Sequence, residues 1–216
     1  MTEKKLFENK SGVNLPYLVY YPTGYNPEQK YPLVVFLHGY GERGKPTGEN
    51  LELVGRVALP KVVENNPDVP FILVAPQCPD TDIWASHIET LDKFLSHVLE
   101  TENIDTNRLY LTGISMGGMG TWIWAQTHPE LFSAIVPVCG IGATWMGEEI
   151  KNLPIWTFHG KDDPVIPYVI TETIVNNVRA NGGNIKFTLY ENTNHNSWDK
   201  AYAEPTLFDW LLSHHK

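Results

Sequence analysis

The sequence predicts an α/β fold built on a doubly wound, mostly parallel sheet flanked by helices. Three observations point there. Short apolar runs rich in valine, isoleucine and aromatics recur at residues 17–21, 33–37, 71–75, 109–112, 134–139, 155–158 and 185–190, which is the spacing of strands. From residue 33 onward these runs are nearly continuous instead of alternating, as parallel strands covered on both faces require. Helical segments lie between them, so strand and helix alternate along the chain.

The helices follow in order. Residues 50–64 are helical in pattern, although Pro60 should kink or break them. Residues 86–102 form the strongest candidate, with Ser86 and Glu89 spaced as a capping box and Ile88, Leu91, Leu95, Val98 and Leu99 on one apolar stripe. Residues 116–127 supply a third, stopped by His128-Pro129. Residues 168–181 place Ile170, Ile174 and Val178 on one face and end at Gly182-Gly183. A run over 201–214 reads as a last helix. In such a sheet the ligand crevice lies at the carboxyl ends of the strands, and the Gly/Pro-rich stretch 39–48 follows a strand directly, as a functional loop would. Only 14 residues, 140–153, separate the strand after the third helix from the next one, too few for a cap domain.

With 216 residues, the chain is long enough for one domain, residues 1–216, with its own core. An excess of 25 acidic over 16 basic side chains, net charge -9, argues against nucleic acid or an anionic membrane as partner. The two cysteines, Cys78 and Cys139, are too few for a disulfide framework and read as buried thiols. No run has the length of a membrane span, and the N-terminal residues lack the apolar centre of a signal peptide. The chain as written is therefore expected to be cytoplasmic, or secreted or periplasmic if a signal peptide has been removed.

Chemistry enters with G-I-S-M-G at 113–117. The string alone also describes a small-residue turn, but between a strand and a helix start it forms a nucleophile elbow that lifts Ser115 out of the chain. A serine hydroxyl needs a base to take its proton and an acid to orient that base. After the strand at 155–158 comes H-G-K-D-D-P-V-I-P, and after the strand ending at 190 comes N-T-N-H-N-S-W. Asp163 and His195 are the candidates. Of the eight histidines, only His195 lies in a loop between the last strand and the C-terminal helix. His38 and His159 end strands and should hydrogen-bond locally, His128 ends a helix, and His87, His97, His214 and His215 lie on helices. Asp163 is preferred to Asp162 because Pro-Val-Ile-Pro fixes the loop that follows it.

An oxyanion hole requires backbone N–H groups aimed at the developing charge. Met116, next after the nucleophile, is one candidate and Tyr40, in His38-Gly-Tyr-Gly41, is the other. Of seven tryptophans, Trp84, Trp145 and Trp198 fall in predicted loops near the strand ends and are candidates to stack on aryl or sugar rings. Trp122, Trp124, Trp156 and Trp210 read as packing residues. The histidines and acids lack metal-ligand spacing, and no metal or cofactor is expected.

Taken together, LHGYGERG at 37–44, APQCP at 75–79, GISMGG at 113–118, FHGKDDPVIP at 158–167 and HNSW at 195–198 resemble a single-domain α/β-hydrolase of the carboxylesterase and polyester-depolymerase-like esterase group, often labelled "predicted peptidase". The resemblance implies Ser115 as nucleophile, Asp163 and His195 as its partners, and Tyr40 and Met116 as oxyanion donors. It implies a serine carboxylesterase acting through an acyl-enzyme on short-chain or aryl esters, including feruloyl or acetyl esters of plant polysaccharides. Two alternatives share the features: a serine peptidase of prolyl-oligopeptidase type, and a ligand-binding protein that keeps the fold without chemistry. The substrate is expected to be a small or polysaccharide-linked ester; the sequence does not specify an oligomeric state.

Overall fold

A computed structural model describes residues 1–216. Eight strands form one sheet: β1 (Thr2–Phe7), β2 (Leu15–Tyr20), β3 (Tyr31–Leu37), β4 (Ile72–Pro76), β5 (Ile104–Ile114), β6 (Ala134–Val138), β7 (Ile155–Gly160) and β8 (Ile185–Tyr190). Their order is β1-β2-β4-β3-β5-β6-β7-β8. The β1–β2 and β2–β4 pairs are antiparallel and the other five are parallel. From β3 the chain first crosses to β4 on one side and then returns to β5 on the other. The topological switch point therefore lies between the carboxyl ends of β3 and β5.

Strand β1 carries no apolar run and is missing from the sequence reading. It is an edge strand, T-E-K-K-L-F, largely open to solvent on alternate residues, and lysines at such an edge block further pairing. Strand β5 starts five residues earlier than its apolar stretch, because residues 105–108 extend past the core and are partly or fully exposed.

Alternate residues of the inner strands feed two cores. Leu33, Val35 and Leu37 pack with Leu91, Phe94, Trp122, Trp124 and Ile174 on one face; Val34 and Phe36 pack with Val54, Leu59, Tyr202 and Leu207 on the other. Period-two alternation of a strand buried on both sides produces this division. Helices α3 (Ile88–Thr101), α4 (Met116–Thr127) and α5 (Tyr168–Ala180) cover the first face. The second is covered by α1 (Glu52–Gly55), α2 (Ala58–Asn65), α6 (Trp198–Tyr202) and α7 (Leu207–Leu212).

Three helix expectations change in detail. The 50–64 segment is broken at 56–57, and Pro60 sits in the first turn of α2, where a missing N–H costs no intrahelical bond. The Ser86/Glu89 capping box does not form: Ser86 lies inside a 3-10 turn, Trp84–His87, that leads into α3. Glu89 instead holds Lys93 at 2.7 Å. The C-terminal run is two helices, because Pro205 and the residue before it cannot continue α6. By contrast α5 ends at the glycine pair, where Gly182 takes φ +84° and Gly183 N–H donates to Val178 O at 3.0 Å.

Candidate active site

Strand β5 ends at Ile114 and α4 begins at Met116, so Ser115 makes the whole turn between them. Its dihedrals are φ 53° and ψ -115°, a conformation costing a non-glycine residue on the order of 1–3 kcal/mol. The neighbourhood holds it there. Ser115 N–H donates to Val138 O at 3.0 Å and Ser115 O accepts from Met119 N–H at 2.9 Å. Helix α4 can press against the end of β3 only because residue 117 has no side chain: a Cβ there would lie 2.6 Å from His38 O and would overlap Leu37 O.

The Ser115 hydroxyl lies 2.8 Å from His195 Nε2, and His195 Nδ1 lies 2.7 Å from Asp163 Oδ2. These three side chains come from the loops after β5, β8 and β7. The Asp163 side chain is fully buried and the His195 side chain is 19% exposed, so the carboxylate is shielded while the imidazole edge reaches solvent. Burial alone would raise the Asp163 carboxyl; hydrogen bonds from His195 and from the Ile166 and Val165 amides outweigh it and hold the group below the ordinary carboxylate range. The two amides donate to Oδ1 at 3.0 and 2.8 Å. An ionised Asp163 fixes the proton of His195 on Nδ1 and leaves Nε2 free to accept from Ser115. Asp162 is exposed.

Met116 heads α4, and Tyr40 heads a 3-10 turn, Tyr40–Glu42, directly after β3. First-turn N–H groups lack intrahelical acceptors, so both amides are open donors on the two sides of the switch point. The Tyr40 ring projects outward, 62% exposed, with the Arg43 guanidinium 3.3 Å from its centroid.

The three tryptophans separate. Trp84 is a correction: it is fully buried, its Nε1–H donates to His38 O at 3.0 Å, and its ring stands edge-on to His38. The chain at 77–83 folds back across the end of β3 and carries Trp84 into the core, where no ligand can stack on it. Trp145 is a second correction: 76% exposed, it lies between Ala143, bonded to Gln126 at the far end of α4, and Gly147, bonded to Asn177 near the end of α5, so its turn runs away from Ser115. Trp198 is half-buried, meets His195 edge-on at 5.6 Å, and lines a groove of about 370 Å³ with Ala58, Lys61, Val62 and Asn65. Residues 139–154 contain turns only, leaving Ser115 partly exposed with no lid above it.

The histidines expected to bond locally hold more than that phrase suggests. His38 is fully buried and pushed down to about 4 by burial; it accepts from Cys78 N–H at 2.9 Å and so ties the two loops together. His159, also fully buried, lies 3.2 Å from Asp163 Oδ2. Its place next to the carboxylate was missed; the four-residue spacing His159-x-x-x-Asp163 across the end of β7 was the available signal. No group of three or more His, Cys, Asp or Glu side chains is disposed to hold a metal ion, and both cysteines are buried and free. No helix is long and apolar enough to cross a membrane.

Residues 74–204 match the family model described as phospholipase/carboxylesterase. A bifunctional acetylxylan esterase/xylanase of Neocallimastix patriciarum is 31% identical over 96 residues, 44% of this chain and 13% of that protein. The crystal structure of a thermostable esterase superposes with a TM-score of 0.85 at 34% identity, covering 100% of this chain and 63% of the other. A ferulic acid esterase of Anaeromyces mucronatus, solved with ferulic acid, superposes with a TM-score of 0.73 at 16% identity over 99% of this chain and 90% of its own, which is a likeness of fold. The chain thus spans a small part of its acetylxylan esterase relative and under two thirds of the thermostable esterase.

Proposed function

Because the chain belongs to the phospholipase/carboxylesterase family, we propose that residues 1–216 are one catalytic domain that hydrolyses short-chain or aryl carboxylic esters through an acyl-enzyme. The observation that carries this reading is the continuous path from Ser115 Oγ to His195 Nε2 at 2.8 Å and from His195 Nδ1 to Asp163 Oδ2 at 2.7 Å. As Ser115 Oγ attacks the ester carbonyl, its proton passes to His195 Nε2, and the buried Asp163 carboxylate stabilises the imidazolium. The Met116 and Tyr40 amides stabilise the oxyanion. His195 then returns the proton to the departing alcohol, and a water activated by the same nitrogen cleaves the acyl-enzyme.

Acetyl and feruloyl esters of plant polysaccharides are the substrate class this reading favours. The relative is named for acetylxylan and a structure of the same fold for ferulic acid, the site is open, and Trp198 offers an aromatic face beside His195. An unlidded site suits an ester displayed on a large carrier. The experiment is a hydrolysis panel of acetyl, butyryl, octanoyl and feruloyl esters with amides of the same acyl groups, combined with fluorophosphonate labelling. Acetyl and feruloyl esters should be cleaved, amides should not, and Ser115→Ala should abolish labelling and turnover. Undiminished esterase activity in Ser115→Ala would defeat the proposal, and amide cleavage at ester-like rates would favour a peptidase instead.

A further inference from the structure

The Asp163 carboxylate accepts from two imidazoles. His159 closes β7 and its ring is fully buried. Its Nε2 lies 2.9 Å from Ile166 O and 3.2 Å from Asp163 Oδ2. A carbonyl and an ionised carboxylate can only accept, so the proton of this ring is on Nε2 and is shared between them. Its Nδ1 lies 2.9 Å from Thr171 Oγ1, a hydroxyl that can donate; the same hydroxyl stands 2.9 Å from Gly140 O. The hydroxyl has one proton, for which Nδ1 and Gly140 O compete; a neutral ring with its proton on Nε2 takes it on Nδ1, whereas a bond to Gly140 O would require a second ring proton. Burial pushes His159 below the ordinary histidine range, against the raising influence of Ile166 O and Asp163, and a charged His195 pushes it the same way as burial.

We propose that His159 is a positioning residue which, as a fixed neutral Nε2–H tautomer, supplies the second side-chain donor to Asp163 Oδ2 and limits how strongly that oxygen holds the proton of His195. The proposal rests on Ser115, His195 and Asp163 acting as above. Oδ2 shares its electron density between two donors, whereas Oδ1 is already occupied by the Val165 and Ile166 amides. The two amides hold the loop from within and His159 also holds it at Ile166 O, so a shifted acid limb with KM unchanged is what separates carboxylate basicity from loop geometry. The titratable groups facing His159 are Asp163 on its own loop and His195 after β8. Helix α5 contributes Thr171, which carries no charge.

With the second donor gone, Oδ2 draws more strongly on His195, and the protonated Ser115–His195–Asp163 unit is favoured. In His159→Phe the acid limb of the kcat/KM profile for an aryl acetate should move up by about 0.5–1 pH unit, with kcat lower by roughly 3- to 10-fold and KM within about 2-fold. In His159→Gln the side-chain amide can stand in for Nε2–H, and the limb should return to within about 0.2 unit of wild type. A folded His159→Phe whose limb does not move, or a His159→Gln that shifts as far as Phe, overturns the proposal. Should Phe fail to fold, ¹⁵N-histidine NMR of the wild type decides: one ring must keep its proton on Nε2 across pH 5–8, and a titrating or Nδ1–H ring at His159 defeats the idea. Fluorophosphonate labelling of each protein separates this outcome from failure of the esterase reading, since loss of label in the wild type would implicate Ser115 and not His159.

Discussion

Replacing Gly117 with alanine tests whether the elbow depends on backbone-to-backbone contact. The new Cβ would stand 2.6 Å from His38 O, where ordinary contact begins near 3.4 Å, and would collide outright with Leu37 O. Both obstacles are main chain, so no rotamer change relieves them. Helix α4 must withdraw from the end of β3 by roughly 1 Å, carrying Met116 and Ser115 with it. Overpacking between rigid elements at this scale costs about 3–5 kcal/mol, and at about 2–4 °C per kcal/mol for a chain of this size the melting temperature should fall by roughly 6–20 °C. A displacement of about 1 Å also costs on the order of 100-fold in rate, so the folded fraction should be nearly inactive below the transition. Calorimetry and aryl acetate hydrolysis at 15 °C provide the two readouts. Gly41→Ala is the control, because no heavy atom lies within 4 Å of a Cβ built there and its φ is not positive; its melting temperature should stay within about 2 °C of wild type. A Gly117→Ala protein that melts with the control and keeps half its activity would refute the reasoning.

Asp163→Asn should reduce kcat by about 10⁴-fold. Because Asp163 is held below the ordinary carboxylate range, the unfolded chain binds more protons through that window, so its contribution to stability is complete above about pH 5 and disappears as pH falls through the folded value. Denaturation curves should show the wild-type advantage over Asp163→Asn shrinking on acidification; a pH-independent gap contradicts this. Trp84→Ala should cost about 3–5 kcal/mol as a core cavity, whereas Trp145→Ala should leave stability within about 0.5 kcal/mol; Trp198→Ala should raise KM more for aryl than for acetyl esters. Equal KM changes on the two ester types would remove the stacking role of Trp198. With no lid over Ser115, activity toward a short triglyceride should rise smoothly through its solubility limit, and a jump at emulsion formation would contradict the open site.

The chain's local chemistry was legible wherever a residue type has one main use. Buried parallel strands need unbroken apolar runs, a tight strand-to-helix turn needs glycine, and a base on a loop needs a histidine outside the helical stripes; these requirements singled out the inner strands, Ser115, Asp163 and His195. Where the controlling contact is distant in sequence, local pattern had no information. Strand β1 exists because β2 offers it an edge. Trp84 is buried because a loop folds over the end of β3, although its neighbours read as surface. The second donor on Asp163 depends on β7 ending where His159 Nε2 meets both Ile166 O and the carboxylate. Convergence of Ser115 with a histidine 80 residues away and an aspartate 32 residues before that follows from the strand order of the sheet. Residue type limits which chemistry a side chain can perform; only packing among elements far apart in the chain brings those groups within hydrogen-bond distance.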